Sequence, residues 1–214
     1  METAVTDTAG ADPPGLWPGS GVACGGVERS FGELLRALRE AVRAGHDITD
    51  IEDDLDHLAE FEPEASRAEA LAYTGDEMGR LWGLGKIGDP RDLELFVVAL
   101  DDPALRATAF EGLGQQPDRV RVDAVARPYL RDPEPRTRAR AAGLVSWCRQ
   151  PGALDVLTPL AGDEDPGVRR SLGICLERLG DAAEPLLRVL LEDPDPGVRS
   201  SASLGMRRLR AGRR

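Results

Sequence analysis

The feature that most constrains this chain is a turn that comes back four times. LDDPALR (100–106), LRDPEPRTR (130–138), AGDEDPGVR (161–169) and LEDPDPGVR (191–199) each leave a run ending in leucine or alanine, pass through acidic residues and proline, and end on arginine. The arginines Arg106, Arg138, Arg169 and Arg199 are 32, 31 and 30 residues apart. That period is too short for a domain and suits one supersecondary unit, a pair of helices that cannot bury its apolar face without a neighbouring copy.

Counting from each arginine gives the unit its physical content. One residue before it stand Leu105, Thr137, Val168 and Val198, and three after it Ala109, Ala141, Leu172 and Ala202. Seven after it come Leu113, Val145, Leu176 and Met206, and ten after it Gln116, Cys148, Leu179 and Leu209. These offsets fall on one face of a helix, so every turn opens a first helix with the same buried stripe. Carried backwards, the register places Glu77 at the arginine position with Leu84 and Ile87 on the stripe, a degenerate first repeat. Second helices are expected near 90–100, 118–131, 152–161 and 182–192, and the last repeat keeps only a first helix near 197–210.

Ahead of the array, Phe31, Leu34, Leu35, Leu38 and Val42 have helical spacing behind a Ser30/Glu33 capping-box pair. Further helices are expected over 49–60, on Ile51, Leu55 and Leu58, and over 64–73 after Pro63. Residues 1–30, with Pro13, Pro14, Pro18, Gly25 and Gly26 and few apolar side chains, read as a flexible tail. The organisation expected is a tail (1–30), a helical N-terminal cap (31–73) and about four and a half repeats (74–214). The fold class is all-α, a right-handed α-solenoid of stacked antiparallel helix pairs.

GLGKIGDPRDLELFVVALDDPALR and CLERLGDAAEPLLRVLLEDPDPGVR resemble the HEAT-like repeats of phycobilisome lyases, over about residues 75–211. The resemblance implies that the turn aspartates, such as Asp165 and Asp195, cap the following helix and that arginines such as Arg169 and Arg199 link neighbouring repeats. It is specific for the fold and not for an activity, and residues 1–72 depart from it.

The net charge of −11 is uneven: residues 1–100 hold 21 acidic and 8 basic side chains, residues 101–214 hold 17 and 19. This balance argues against nucleic acid as a partner, since phosphate binding needs a net basic surface. The absence of an apolar run of 18 residues, and a start (METAVTDTAGADPPG) without a basic, apolar leader, argue for a cytoplasmic protein with no membrane contact. Three cysteines without close pairing read as thiols: Cys148 on the stripe, Cys175 beside it and Cys24 in the tail.

Solenoids bind along their concave surface, expected here on the second helices. The partner-binding candidates are therefore Arg91, Glu94, Arg119, Asp123, Arg127, Asp155, Glu184 and Arg188, whose mixed signs suit another protein. Trp82 and Trp147, at offsets +5 and +9, fall outside the stripe and are either partner anchors or extra packing. The stretch 46–64 carries nine carboxylates and no Lys or Arg, the outer face of a cap helix or a site for a basic partner. The arginines from Arg207 onward read as a charged C-terminal end that complements the helix dipole.

No catalytic, cofactor or metal residue is assigned. His46 and His57 lie eleven residues apart, no Cys or His pair has zinc spacing, and the glycines of WGLGKIGD do not match a phosphate loop. The function expected is a non-enzymatic protein-binding scaffold or adaptor that regulates or neutralises one partner. The resemblance keeps a lyase or lyase-partner role as an alternative. A HEAT-like DNA glycosylase is disfavoured by the acidic charge, and the iron hydroxylases built on such repeats by the lack of a His-Glu dipeptide.

The stripe makes a direct prediction. Leu176→Ala is expected to cost about 2–5 kcal/mol through lost burial and a cavity, read from the denaturant midpoint; an unchanged midpoint would mean the repeat register is wrong.

Overall fold

The computed structural model describes residues 23–24 and 27–212. Most of the segment expected as a tail lies outside them. Within it Ala23–Cys24 (β1) and Val27–Glu28 (β2) pair antiparallel, with Ala23 opposite Glu28. From Phe31 to residue 212 the described chain is helix and connecting turn.

The three leading helices start and stop where local chemistry dictates. α1 (Phe31–Ala44) opens on the expected box: Glu33 N–H donates to Ser30 Oγ at 3.4 Å and Ser30 N–H to Glu33 Oε2 at 2.9 Å. It ends on Gly45 in the left-handed region, φ 69°, a conformation that costs glycine nothing. α2 (Thr49–Phe61) and α3 (Pro63–Ala72) follow, the latter with proline in its first turn. Several ion pairs fasten these helices to the array, two of them through half-buried arginines. Arg39 Nε donates to Asp76 at 2.8 Å, and Arg67 grips the fully buried Asp92 through Nε and Nη2 at 2.9 and 2.6 Å.

The array is a solenoid of helix pairs. Its first helices are α4 (Glu77–Ile87), α6 (Arg106–Gln115), α8 (Pro135–Cys148), α10 (Pro166–Cys175) and α12 (Pro196–Ala211). The second helices are shorter: α5 (Leu93–Ala99), α7 (Arg119–Ala126), α9 (Ala153–Leu157) and α11 (Glu184–Leu191). α7 and α9 run on as tight 3₁₀ turns, Arg127–Arg131 and Thr158–Gly162. Of the sixteen stripe positions only Leu105 and Leu179 are half-buried rather than buried. Two of the stripe positions are polar, Thr137, whose hydroxyl donates to Glu134, and Gln116, fully buried with neither amide atom partnered among the described residues.

The turns divide their aspartates between two tasks. Asp165 caps α10, accepting from the N–H groups of Gly167 and Val168 at 2.7 and 3.3 Å, and Asp195 caps α12 through Val198 N–H at 2.9 Å. The arginines reach past those caps to the following turn. Arg138 holds Asp163 bidentately (2.8 and 2.7 Å) and Arg169 holds Asp193 likewise (2.7 and 3.0 Å). Burial pushes the Asp163 carboxyl up, but hydrogen bonds, chiefly from Arg138, outweigh it and hold it below the usual range. The hydrogen bond from Arg169 does the same for Asp193.

Spacing differs between the two layers. Successive first helices lie in direct contact, α4 on α6, α6 on α8, α8 on α10 and α10 on α12, whereas the second helices make no comparable contact with one another. Glycine permits the close approach: a Cβ on Gly85 would meet Gly112 Cα at 3.2 Å, one on Gly173 would meet Ala202 N at 3.0 Å, and one on Gly205 would overlap the Gly173 carbonyl oxygen. A stack tight in one layer and open in the other bends toward the tight one. The first helices therefore form the inner side, which corrects the expectation that the second helices line the concave surface.

Two glycine substitutions separate this cause from general helix propensity. Gly205→Ala is expected to destabilise by about 1–3 kcal/mol through overpacking. Gly143→Ala, where an added methyl meets nothing within 4 Å, is expected to stabilise by about 0.5–1 kcal/mol. Urea unfolding of the two variants beside the parent checks both signs.

Candidate functional site

Offsets +1, +5 and +9 from the turn arginine point away from the core stripe, so the inner face can be read in rows. α4 contributes Met78, Trp82 and Lys86, and α6 Ala107, Glu111 and Gln115. α8 contributes Ala139, Gly143 and Trp147, flanked by Arg136 and Arg140; α10 contributes Arg170 and Ile174, and the 3₁₀ segment Leu176–Ala183 that continues it Arg178; α12 contributes Ser200, Leu204 and Arg208. All are exposed or half-buried. Both tryptophans that fall outside the stripe thus belong to this face.

Trp82 sits between two depressions. One, of about 390 Å³, lies between α4 and α6 and is lined by Asp56, Trp82, Lys86, Thr108, Glu111 and Gln115. The other, of about 140 Å³ and mostly apolar, lies toward α1 and α2, where Leu35, Leu38, Ile48, Glu52 and Met78 meet the same indole. Lys86 bridges the rim, its Nζ 2.6 Å from Asp56 and 5.0 Å from the Trp82 ring centre. Trp147 is covered on one side: the Arg119 guanidinium lies 3.7 Å from its ring centre and donates to its carbonyl at 3.0 Å.

Charge along the face changes sign. At the α4–α6 end Glu52, Asp56 and Glu111 accompany Lys86. From α8 to α12 the rows hold Arg136, Arg140, Arg170, Arg178 and Arg208 and no carboxylate. Arg170 reaches Asp195 and Arg208 reaches Glu177, both at 3.4 Å from flanking positions, while Arg136, Arg140 and Arg178 have no ion pair among the described residues.

The eight residues expected to bind a partner lie on the other layer, most of them engaged with their neighbours. Arg91 pairs with Glu64 at 2.7 Å and with Asp89, whose carboxyl it holds down to about 2. Glu94 accepts from Arg121 at 3.1 Å, Arg119 is stacked on Trp147, and Glu184 accepts from Arg188 at 2.6 Å. Asp123 is a correction: expected at the surface, it is buried and accepts from Arg127 Nε at 2.6 Å. Its position follows from α7 facing α8 with Val122, Asp123 and Ala126, a face whose single charge is neutralised one turn later. Arg127 and Asp155 do come together, lining a groove of about 730 Å³ with Pro128, Val156 and Pro159 where the splayed second helices part.

Among the described residues no three His, Cys, Asp or Glu side chains converge as a metal-ligand set. No described helix is long and apolar enough to cross a membrane. Burial, with Asp123 as a further cause, pushes the Cys148 thiol up to about 11, and burial does the same for Cys175, the reverse of what a nucleophilic cysteine needs.

The family described as HEAT repeats matches residues 93–177, which carry α5 to α10. No curated protein matches this sequence. The matched segment contains the Arg106, Arg138 and Arg169 turns, and with the all-helical stack it supports a HEAT-repeat solenoid.

The thiol values give a simple expectation. In a Cys24→Ser variant the native protein at pH 8 should leave Cys148 and Cys175 unlabelled by a disulfide reagent, because both are buried and almost wholly protonated; both should react once urea unfolds the chain. Rapid native labelling would show that the first-helix layer opens.

Proposed function

We propose that this chain is a non-enzymatic protein-binding scaffold or adaptor that holds one partner protein on the inner face of its first helices and so regulates or neutralises it. One observation carries the reading: Met78, Trp82, Ile174 and Leu204 stay partly exposed on one face, the last two set among arginines. Aromatic and arginine side chains around apolar anchors are the composition of interface hot spots. The stack supplies a rigid surface for them.

A second reading has its own observation. The groove beside Arg127 and Asp155 lies on the layer that also exposes Val98, Val120 and Val189, at 70, 66 and 61%. A partner held there would span the splayed second helices, as the residues singled out in the sequence imply.

The two faces separate by mutation. Ile174→Asp with Arg178→Glu alters the inner face, and Asp155→Arg with Arg188→Glu alters the other; Arg127 is unsuitable because it neutralises the buried Asp123. Tagged parent and variants are used to capture proteins from the native source, with circular dichroism as the folding control. A partner lost about tenfold or more by the inner-face variant alone, equivalent to about 1.4 kcal/mol, is the expected result. Loss only in the second variant moves the site to the groove, retention by both overturns both readings, and turnover by the purified chain overturns the scaffold.

A further inference from the structure

We propose that the inner face pairs with itself, two copies lying face to face and antiparallel so that the acidic α4–α6 end of each meets the basic α8–α12 end of the other. The inference rests on the inner face being a protein-binding surface and names a protein that fits it.

The argument is one of complementarity along the face. At one end stand Glu52, Asp56 and Glu111, with Lys86 already tied to Asp56. At the other end stand Arg136, Arg140 and Arg178, which have no ion pair among the described residues. A twofold rotation that exchanges the ends brings the acidic end of each copy to the basic end of the other, twice. The same rotation brings the exposed Ile174 and half-buried Leu204 of one copy toward Met78 and Trp82 of the other, so apolar surface meets apolar surface. Parallel copies would set arginine against arginine. An antiparallel pair is isologous and closes at two copies. A long polyanion is the poorer fit, since it has to pass Glu111 and Asp56 in the same trough, where like charge repels it.

The test is the solution mass of the protein, by sedimentation equilibrium at low and at high salt. A dimer at low salt that loosens at least about tenfold at high salt is expected, because screening weakens exposed pairs. Arg140→Glu with Arg178→Glu reverses two of the three unpaired arginines at the basic end, and Asp56→Arg with Glu111→Arg reverses two of the three carboxylates at the acidic end. Each double variant alone is expected to be monomeric with unchanged circular dichroism. Mixed, the two are expected to form a heterodimer, since the reversed positions then again face opposite charges; a merely unfolded variant cannot be rescued in this way. A monomer at low salt, a dimer indifferent to these reversals, or two variants that fail to pair on mixing would overturn the proposal. So would a monomer that binds a labelled DNA duplex and loses it with Arg140→Glu and Arg178→Glu. A monomeric parent that still loses its captured partner through Ile174→Asp and Arg178→Glu would sink the self-pairing and leave the scaffold reading standing.

Discussion

A guanidinium carries five N–H donors in one plane, and the turn arginines divide theirs between two repeats. Nη1 of Arg138 and of Arg169 donates back to carbonyls of its own turn, at 2.9 Å to Asp132 and 2.7 Å to Asp163. Nε and Nη2 reach forward to the aspartate of the next turn. Lysine has no such fork, which accounts physically for arginine at each of these positions. The repeats that Arg138 and Arg169 open are thereby placed on their neighbours at the turn, and the helices leaving those turns inherit the placement.

That placement sets spacing as well as order. With the turns linked, α10 and α12 lie so close that Gly173 and Gly205 face each other without room for a side chain. The second helices begin beyond the link and diverge. The bend, the inner face and the groove of about 730 Å³ beside Arg127 are three consequences of one difference in spacing. Sequence period registers none of them, because a stripe repeats identically in a flat stack and a curved one.

The parts legible in the sequence are those decided locally or by period. Ser30 and Glu33 specify the start of α1 within four residues, and the Asp165 and Asp195 caps are equally local. The stripe places Leu176, Val145 and Leu113 in the core because burial follows 3.6-residue geometry. What escaped depends on distant partners. Arg67 lies twenty-five residues before Asp92, the same separation as Arg138 and Asp163, yet outside the turn motif it gave no signal. Asp123 looked like surface because it is charged, and only Arg127 one turn later on the same helix hinted that it could be buried. The glycines at 85, 112, 173 and 205 held the clue to the inner side, since glycine inside a helix implies close backbone approach.

Net charge is a poor guide to how charge is distributed over this fold. A chain at −11 invites the thought of a basic partner, and the half-by-half balance assigns that partner to the first hundred residues. The fold sorts the charges differently. Many of the turn carboxylates are consumed as caps and links, such as Asp163, Asp165, Asp193 and Asp195, so they contribute to the net charge without offering a free anionic surface. The arginines that link the turns are consumed with them, whereas Arg136, Arg140 and Arg178 stand clear on the inner face. In a solenoid the field a partner meets is set by what the turns leave over, and here they leave a basic strip beside an acidic one on the same trough.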